Sequence, residues 1–217
     1  MFATKTLSHL VRQVQIFPQT GITGRSRYEL DVHNMVTRVL WFGRRSDAIP
    51  YRNDYLNLTN WIYTSNRPYV IPLAGYPTIP GLGRSGLTIP GIQRRILRGA
   101  VFIANGTNLF DEEDADYYTQ YVPYKYLTGN AAPAENYGLA AQNEMWPLHA
   151  YSFALHGSDA PQPSGTLNAS RIDKLQMEFD VEPIPFLANY TYDVNIYVET
   201  LNFLDITSGM GGLKFAL

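Results

Sequence analysis

LHAYSFALHGSDAPQPSGTLNASRID, residues Leu148 to Asp173, is the stretch whose reading decides the fold. Leu148 to Leu155 has the length of a strand, Gly157-Ser158-Asp159 and Pro161-Gln162-Pro163-Ser164-Gly165 are turn chemistry, and alternation resumes at Leu175. Pro161 and Pro163 fix their own φ and push Ala160 and Gln162 toward extended conformations, so the loop excludes a helix and costs little entropy to order. Gly165 supplies a positive φ that other residues resist. The stretch reads as a stiff, hairpin-like corner between two strands, with Ser170, Arg171 and Asp173 offering polar groups to pin it.

Downstream of this corner the β pattern is clear. Leu175, Met177, Phe179 and Val181 alternate with Gln176, Glu178 and Asp180, and Tyr192, Val194, Ile196 and Val198 alternate with Asp193, Asn195 and Glu199. Leu201 to Ile206 forms a last segment before a flexible SGMGG and a terminal LKFAL. Upstream, Val14 and Ile16 share one face of a first strand and Gln13 and Gln15 the other, with Pro18 and Gly21 closing it. Tyr28, Leu30 and Val32 alternate in a second strand. Val36 to Phe42 is denser, as in a strand buried on both faces.

Residues 46 to 95 carry so many prolines and glycines that no helix is expected there, only short strands near Trp61 to Tyr63 and Tyr69 to Leu73. Order returns at Gln93 to Ala104. One short helix is expected next, with Asp111 as its cap or a first-turn residue, Glu112, Glu113, Asp114 and Asp116 near the positive end of its dipole and Pro123 stopping it. Residues 125 to 147 form a second long loop. About eight strands, long loops and one short helix predict an all-β, eight-stranded jelly-roll sandwich, with residues 1–217 as a single domain.

The composition bounds the partners. Charged residues are 17% of the chain, below the roughly 25% of ordinary soluble domains, while tyrosine (16) and phenylalanine (10) are abundant. Such a surface suits contacts with other proteins. Net charge is −2, yet residues 1–100 hold 13 basic against 4 acidic side chains and residues 101–217 hold 4 against 15. Oppositely charged surfaces meeting between copies would make assembly salt-sensitive. No cysteine is present, so disulfides and thiolate metal sites are excluded. Without a signal-like apolar run the chain reads as intracellular, and its four sequons, at Asn57, Asn105, Asn168 and Asn189, read as chance matches.

Catalytic chemistry finds little support. Gly81 to Gly86 matches G-x-G-x-x-G, but Pro80 precedes it, Pro90 blocks the helix a dinucleotide site needs, and the next acid is Asp111. His9, His33, His149 and His156 lack the spacing of a metal centre, and His149 shares a strand face with Tyr151, Phe153 and Leu155, as a core or interface histidine would. Asp111 to Asp116 lacks the glycine and ligand spacing of a calcium loop. Arg94, Arg95 and Arg98 suit either phosphate or a contact between subunits. No enzyme activity and no cofactor is expected.

The string YSFALHGSDAPQPSGTLNASRID, Tyr151 to Asp173, closely resembles a signature of the major capsid proteins of large icosahedral nucleocytoplasmic DNA viruses, the double jelly-roll family. Tyr151, Phe153, Pro161, Pro163, Gly165, Asn168, Ser170, Arg171 and Asp173 carry it. LDVHNMVTRVLW (Leu30 to Trp41), NGTNLFDEEDADYYTQYVPY (Asn105 to Tyr124) and the closing segment Leu201 to Leu217 resemble further family elements in the same order. The resemblance implies the second of two jelly rolls, a homotrimer forming a pseudo-hexameric capsomer, neighbouring capsomers and minor capsid proteins as partners, and no specific nucleic acid. It further implies a place in the virion close to an inner membrane, with assembly in the host cytoplasm. Trp146, Arg94, Arg95, Tyr117 and Tyr118 are expected at contacts between subunits. A lectin-like jelly-roll module for host attachment is the alternative.

Overall fold

The computed structural model describes residues 6–52, 58, 60, 82–83, 86–87, 95–127, 148–156, 162–184, 190–207 and 209–215. Two antiparallel sheets face each other. In sheet A, β1 (Leu7–Ile22) pairs with β12 (Tyr192–Thr207), β12 with β3 (Met35–Arg45), and β3 with both β9 (His149–Ser152) and β10 (Leu167–Asn168). In sheet B, β2 (Ser26–Glu29) pairs with β11 (Leu175–Val181), β11 with β6 (Leu97–Ala104), and β6 with the short β7 (Thr107–Asn108) and β8 (Glu113–Asp114). The two-residue strands β4 (Leu82–Gly83) and β5 (Gly86–Leu87) pair separately.

The pairing is nested: β1 with β12, β2 with β11, β3 with β9 and β10, and β6 with its immediate successors. An antiparallel ribbon rolled up on itself gives this order, so the sandwich is a jelly roll, as the strand count predicts. Period-two alternation explains the layers. Tyr192, Val194, Ile196 and Val198 of β12, and Leu175, Met177, Phe179 and Val181 of β11, are all buried between the sheets. Trp41 from β3 bridges the layers, its ring edge-on to Phe102 of β6 at 5.9 Å and to Tyr118 at 5.0 Å. Each such aromatic pair adds about 0.5–1.5 kcal/mol to simple burial.

Several local expectations are corrected. Pro18 does not end β1, which continues to Ile22 with Pro18 opposite Asn195. β1 pairs only with β12 among the described strands, and an edge strand tolerates a residue lacking N–H. A helix does form within residues 46 to 95: α1 (Ala48–Arg52) follows β3, with Pro50 in its first turn, where no N–H is required. The Gly-rich tail is ordered, since β13 (Met210–Leu213) pairs with Leu204 to Thr207 of β12. Leu148 to Leu155 yields only the four-residue β9, and the corner is no hairpin, because β9 and β10 both pair with β3 rather than with each other.

The acidic helix also differs. Glu113 and Asp114 belong to β8, a π-helical turn covers Tyr117–Tyr121, and α2 (Val122–Tyr126) continues it. The Tyr117 N–H donates to Asp114 Oδ1 at 3.0 Å, and the N-cap position falls on Asp116, well past Asp111. The Val122 N–H bonds back to the Tyr117 carbonyl, and this wide turn places Pro123 at the start of a new helical stretch rather than in mid-helix. The strands expected near Trp61 to Tyr63 and Tyr69 to Leu73 lie outside the described residues.

Candidate functional site

The signature corner folds back on β3. The Phe153 N–H donates to the Thr37 carbonyl at 2.8 Å, the Ala169 N–H to the Asn34 carbonyl at 3.0 Å, and the Asn34 N–H to Ser170 Oγ at 3.0 Å. Asn34 makes this exchange from a left-handed backbone at φ +89. Across the loop, Ser164 Oγ accepts from the His156 N–H at 2.9 Å and donates to the His156 carbonyl at 3.1 Å. Gly165 holds φ +152, and a β-carbon there would stand 2.9 Å from the Phe153 carbonyl oxygen.

Two of the signature residues are packing elements. The Tyr151 ring stacks on Phe110 at 4.7 Å and meets Phe153 edge-on at 5.0 Å, and Phe153 meets Phe102 edge-on at 5.9 Å. Burial raises the Tyr151 phenol above its ordinary range. Ser170 pins the corner, whereas Asn168, Arg171 and Asp173 are exposed, as is Pro163. Pro161 lies outside the described residues.

Beneath the loop, between β1, β3 and β12, a cavity of about 30 Å³ is bordered by Arg12, Thr37, His156, Pro163, Gly165 and Glu199. That volume accommodates a water or two, not a metabolite. The buried Glu199 carboxylate accepts from Arg38 Nε at 2.9 Å and from Thr37 Oγ1 at 3.1 Å, and Arg12 Nε stands 3.9 Å away. This ionic knot ties three strands together under the corner.

The residues expected at subunit contacts divide. Tyr118 is wholly buried, its ring against Trp41 and its hydroxyl donating to the Ala100 carbonyl at 2.6 Å. It is therefore a core residue, not an interface residue, and burial raises its phenol strongly. Tyr117 is half-buried and stacks on Tyr121 at 5.3 Å, and Arg95 pairs with Asp116 at 2.6 Å. Arg94 and Trp146 lie outside the described residues. His149 is buried with its ring stacked on Trp41 at 5.7 Å, as a core histidine.

A buried ionic cluster escaped the sequence reading. Arg45 reaches Asp47 through two bonds, Nε to Oδ1 at 2.9 Å and Nη2 to Oδ2 at 2.8 Å, and donates to the Asn60 carbonyl at 3.1 Å. Its guanidinium lies 3.6 Å from the Tyr190 ring centroid, and Asn60 Nδ2 donates to the Tyr192 hydroxyl at 2.8 Å. The i, i+2 spacing of opposite charges at a strand end was the available signal. Among the described residues no three His, Asp or Glu side chains gather at metal-binding distance, and no helix is long and apolar enough to cross a membrane.

The jelly roll is matched by known proteins. The sequence model of the large eukaryotic DNA virus major capsid protein family matches residues 1–212. The chain belongs to that family. Among its major capsid protein relatives, that of Phaeocystis pouchetii virus is 34% identical over 112 residues, covering 52% of this chain and 19% of its own length. That of Paramecium bursaria Chlorella virus 1 is 31% identical over 157 residues, covering 64% and 32%. A chain of the PBCV-1 virus capsid superposes with a TM-score of 0.66 at 23% identity, over 99% of this chain and 53% of that one. The Faustovirus major capsid protein gives 0.59 at 17% identity, over 91% and 33%. The present chain thus spans about half, or less, of the capsid proteins it matches.

Proposed function

We propose that this chain is the second jelly roll of a major capsid protein, a structural subunit and not an enzyme. In this reading three complete subunits form a pseudo-hexameric capsomer, and capsomers tile the icosahedral shell of a large DNA virus assembled in the host cytoplasm. Minor capsid proteins and a nearby inner membrane complete its surroundings. The observation that carries the reading is the family match over residues 1–212 on a jelly roll whose signature corner is spent on packing and pinning. The buried Glu199 carboxylate beneath the corner makes structural bonds, and the cavity there holds no more than water.

The test is the mass in solution of the complete gene product, by light scattering coupled to size exclusion. Three times the subunit mass is expected, with shell-like assemblies at higher concentration. A monomer at every concentration, binding glycans as an attachment module does, would overturn the reading.

A further inference from the structure

We propose that β13 is a displaceable strap over a strand-acceptor edge of β12, and that this edge takes an extended peptide of a partner protein when the strap lifts away. Asn202 is the latch that seats whichever strand lies there.

The acceptor edge follows from unequal pairing. β12 pairs with β1 as far as Ile206, but with β3 only as far as Leu201. On the β3 side its last turns of ladder are therefore free for another strand, and β13 fills them, with Leu213 opposite Leu204 and Met210 opposite Thr207. A sheet edge with open N–H and C=O groups is a template for strand addition.

The strap itself is held weakly by its side chains. All four residues of β13 are exposed, as are Lys214 and Phe215. Gly211 and Gly212 lose the most conformational freedom on ordering and offer nothing to pack. Sterics do not require them. A β-carbon on Gly211 would stand 3.7 Å from Leu204 Cδ1, an ordinary contact, and one on Gly212 would meet nothing within 4 Å. Neither holds the positive φ of Gly209. The two glycines thus ease release of the strap without being needed for its fit.

Closure rests on the groups at its far end. The wholly buried Asn202 amide stands in for a peptide group, donating to the Phe215 carbonyl and accepting from the Phe215 N–H. The Lys214 N–H donates to the Phe203 carbonyl at 2.8 Å, and Lys214 Nζ lies over the rings of Phe203 and Phe215, at 5.7 and 6.0 Å. An incoming strand meets the same groups. The ligand class is an extended segment ending in a cationic residue followed by an aromatic one, which adds cation–π attraction to the backbone ladder.

The probe is a fluorescein-labelled GMGGLKF peptide, residues 209–215, titrated against the full chain by fluorescence anisotropy. Lys214→Ser with Phe215→Ser loosens the strap and leaves the edge intact, so this variant is expected to bind the probe at least tenfold more tightly than the parent, whose own strap competes. Adding Asn202→Ala is expected to remove that gain. The chain has no cysteine, so L204C with L213C, at directly paired positions, closes the strap by a disulfide. The oxidised form is expected to bind the probe at least tenfold more weakly than the reduced form. Equal binding to the oxidised and reduced forms, or no gain in the loosened variant, would overturn the acceptor edge.

Discussion

The carbonyl oxygen of Phe153 stands 2.9 Å from the position a β-carbon on Gly165 would occupy. The corner between β9 and β10 closes only because residue 165 has no side chain, and its φ of +152 adds a backbone demand that L-residues resist. The string that marks the family is thus a steric requirement for bringing both short strands onto β3.

Gly165→Ala is expected to destabilise the fold by about 1–3 kcal/mol, from backbone strain and the contact with a carbonyl that cannot move aside. Pro163→Ala, at an exposed position, is expected to cost under about 1 kcal/mol, through the unfolded chain alone. Urea unfolding of the two variants checks the contrast. Equal losses would show that the corner is held by its prolines instead.

Asp47→Ala is expected to be among the most damaging single changes. It leaves the Arg45 guanidinium, 2% exposed, without the carboxylate that now holds it through two bonds. Breaking one side of such a buried pair costs about 3–5 kcal/mol. The equilibrium unfolding midpoint measures it, and a loss below about 1 kcal/mol would show that the site admits water.

Glu178 of β11 and Glu182, just past its end, are shifted in opposite directions. Hydrogen bonds from Arg25 and then Arg27 hold Glu178 below the ordinary carboxylate value of 4.5. Its contribution to stability is therefore full above that value and lost as pH falls through the lowered folded value. Burial pushes Glu182 above 4.5 despite Arg98, so its ionised form opposes folding at neutral pH and the penalty is relieved on acidification. Glu178→Gln is expected to lower neutral-pH stability and flatten the acid limb, and Glu182→Gln to raise neutral-pH stability. Urea midpoints from about pH 3 to 7 test both signs.

Asn202 holds the tail. Its Nδ2 donates to Gln13 Oε1 at 2.9 Å and to the Phe215 carbonyl at 2.8 Å, and its Oδ1 accepts from the Phe215 N–H at 3.1 Å. Asn202→Ala is expected to free β13, raising amide exchange at Met210 to Phe215 at least tenfold while the β11 amides stay protected. Unchanged exchange in the tail would assign its order to the β12 ladder alone.

The alternations of β11 and β12 were legible because each strand buries one face, and period two then appears directly in the sequence. In β1 the same alternation separates Val14 and Ile16 from Gln13 and Gln15 but does not say which set faces the sandwich, since that depends on what covers the edge of the sheet. Pro18 and Pro123 were read as stops by their chemistry, yet an edge strand and a fresh helical turn each lack the need for an N–H. Of the Arg45–Asp47–Asn60 cluster only the i, i+2 charge pair was open to sequence reading, because Asn60 joins it from 15 residues away through a backbone carbonyl. Tyr118 was expected at a contact between subunits, and the wide turn at Tyr117–Tyr121 places it in the core.

The most direct test of the central claim is cryo-electron microscopy of the virus particles that carry this gene, with density resolved to side chains. The account predicts shell density that fits this jelly roll, with Trp41 between the sheets and the corner from Leu148 to Asp173 closed against β3. Particles whose shell is built from another protein, with this fold absent from the capsomers, would contradict it.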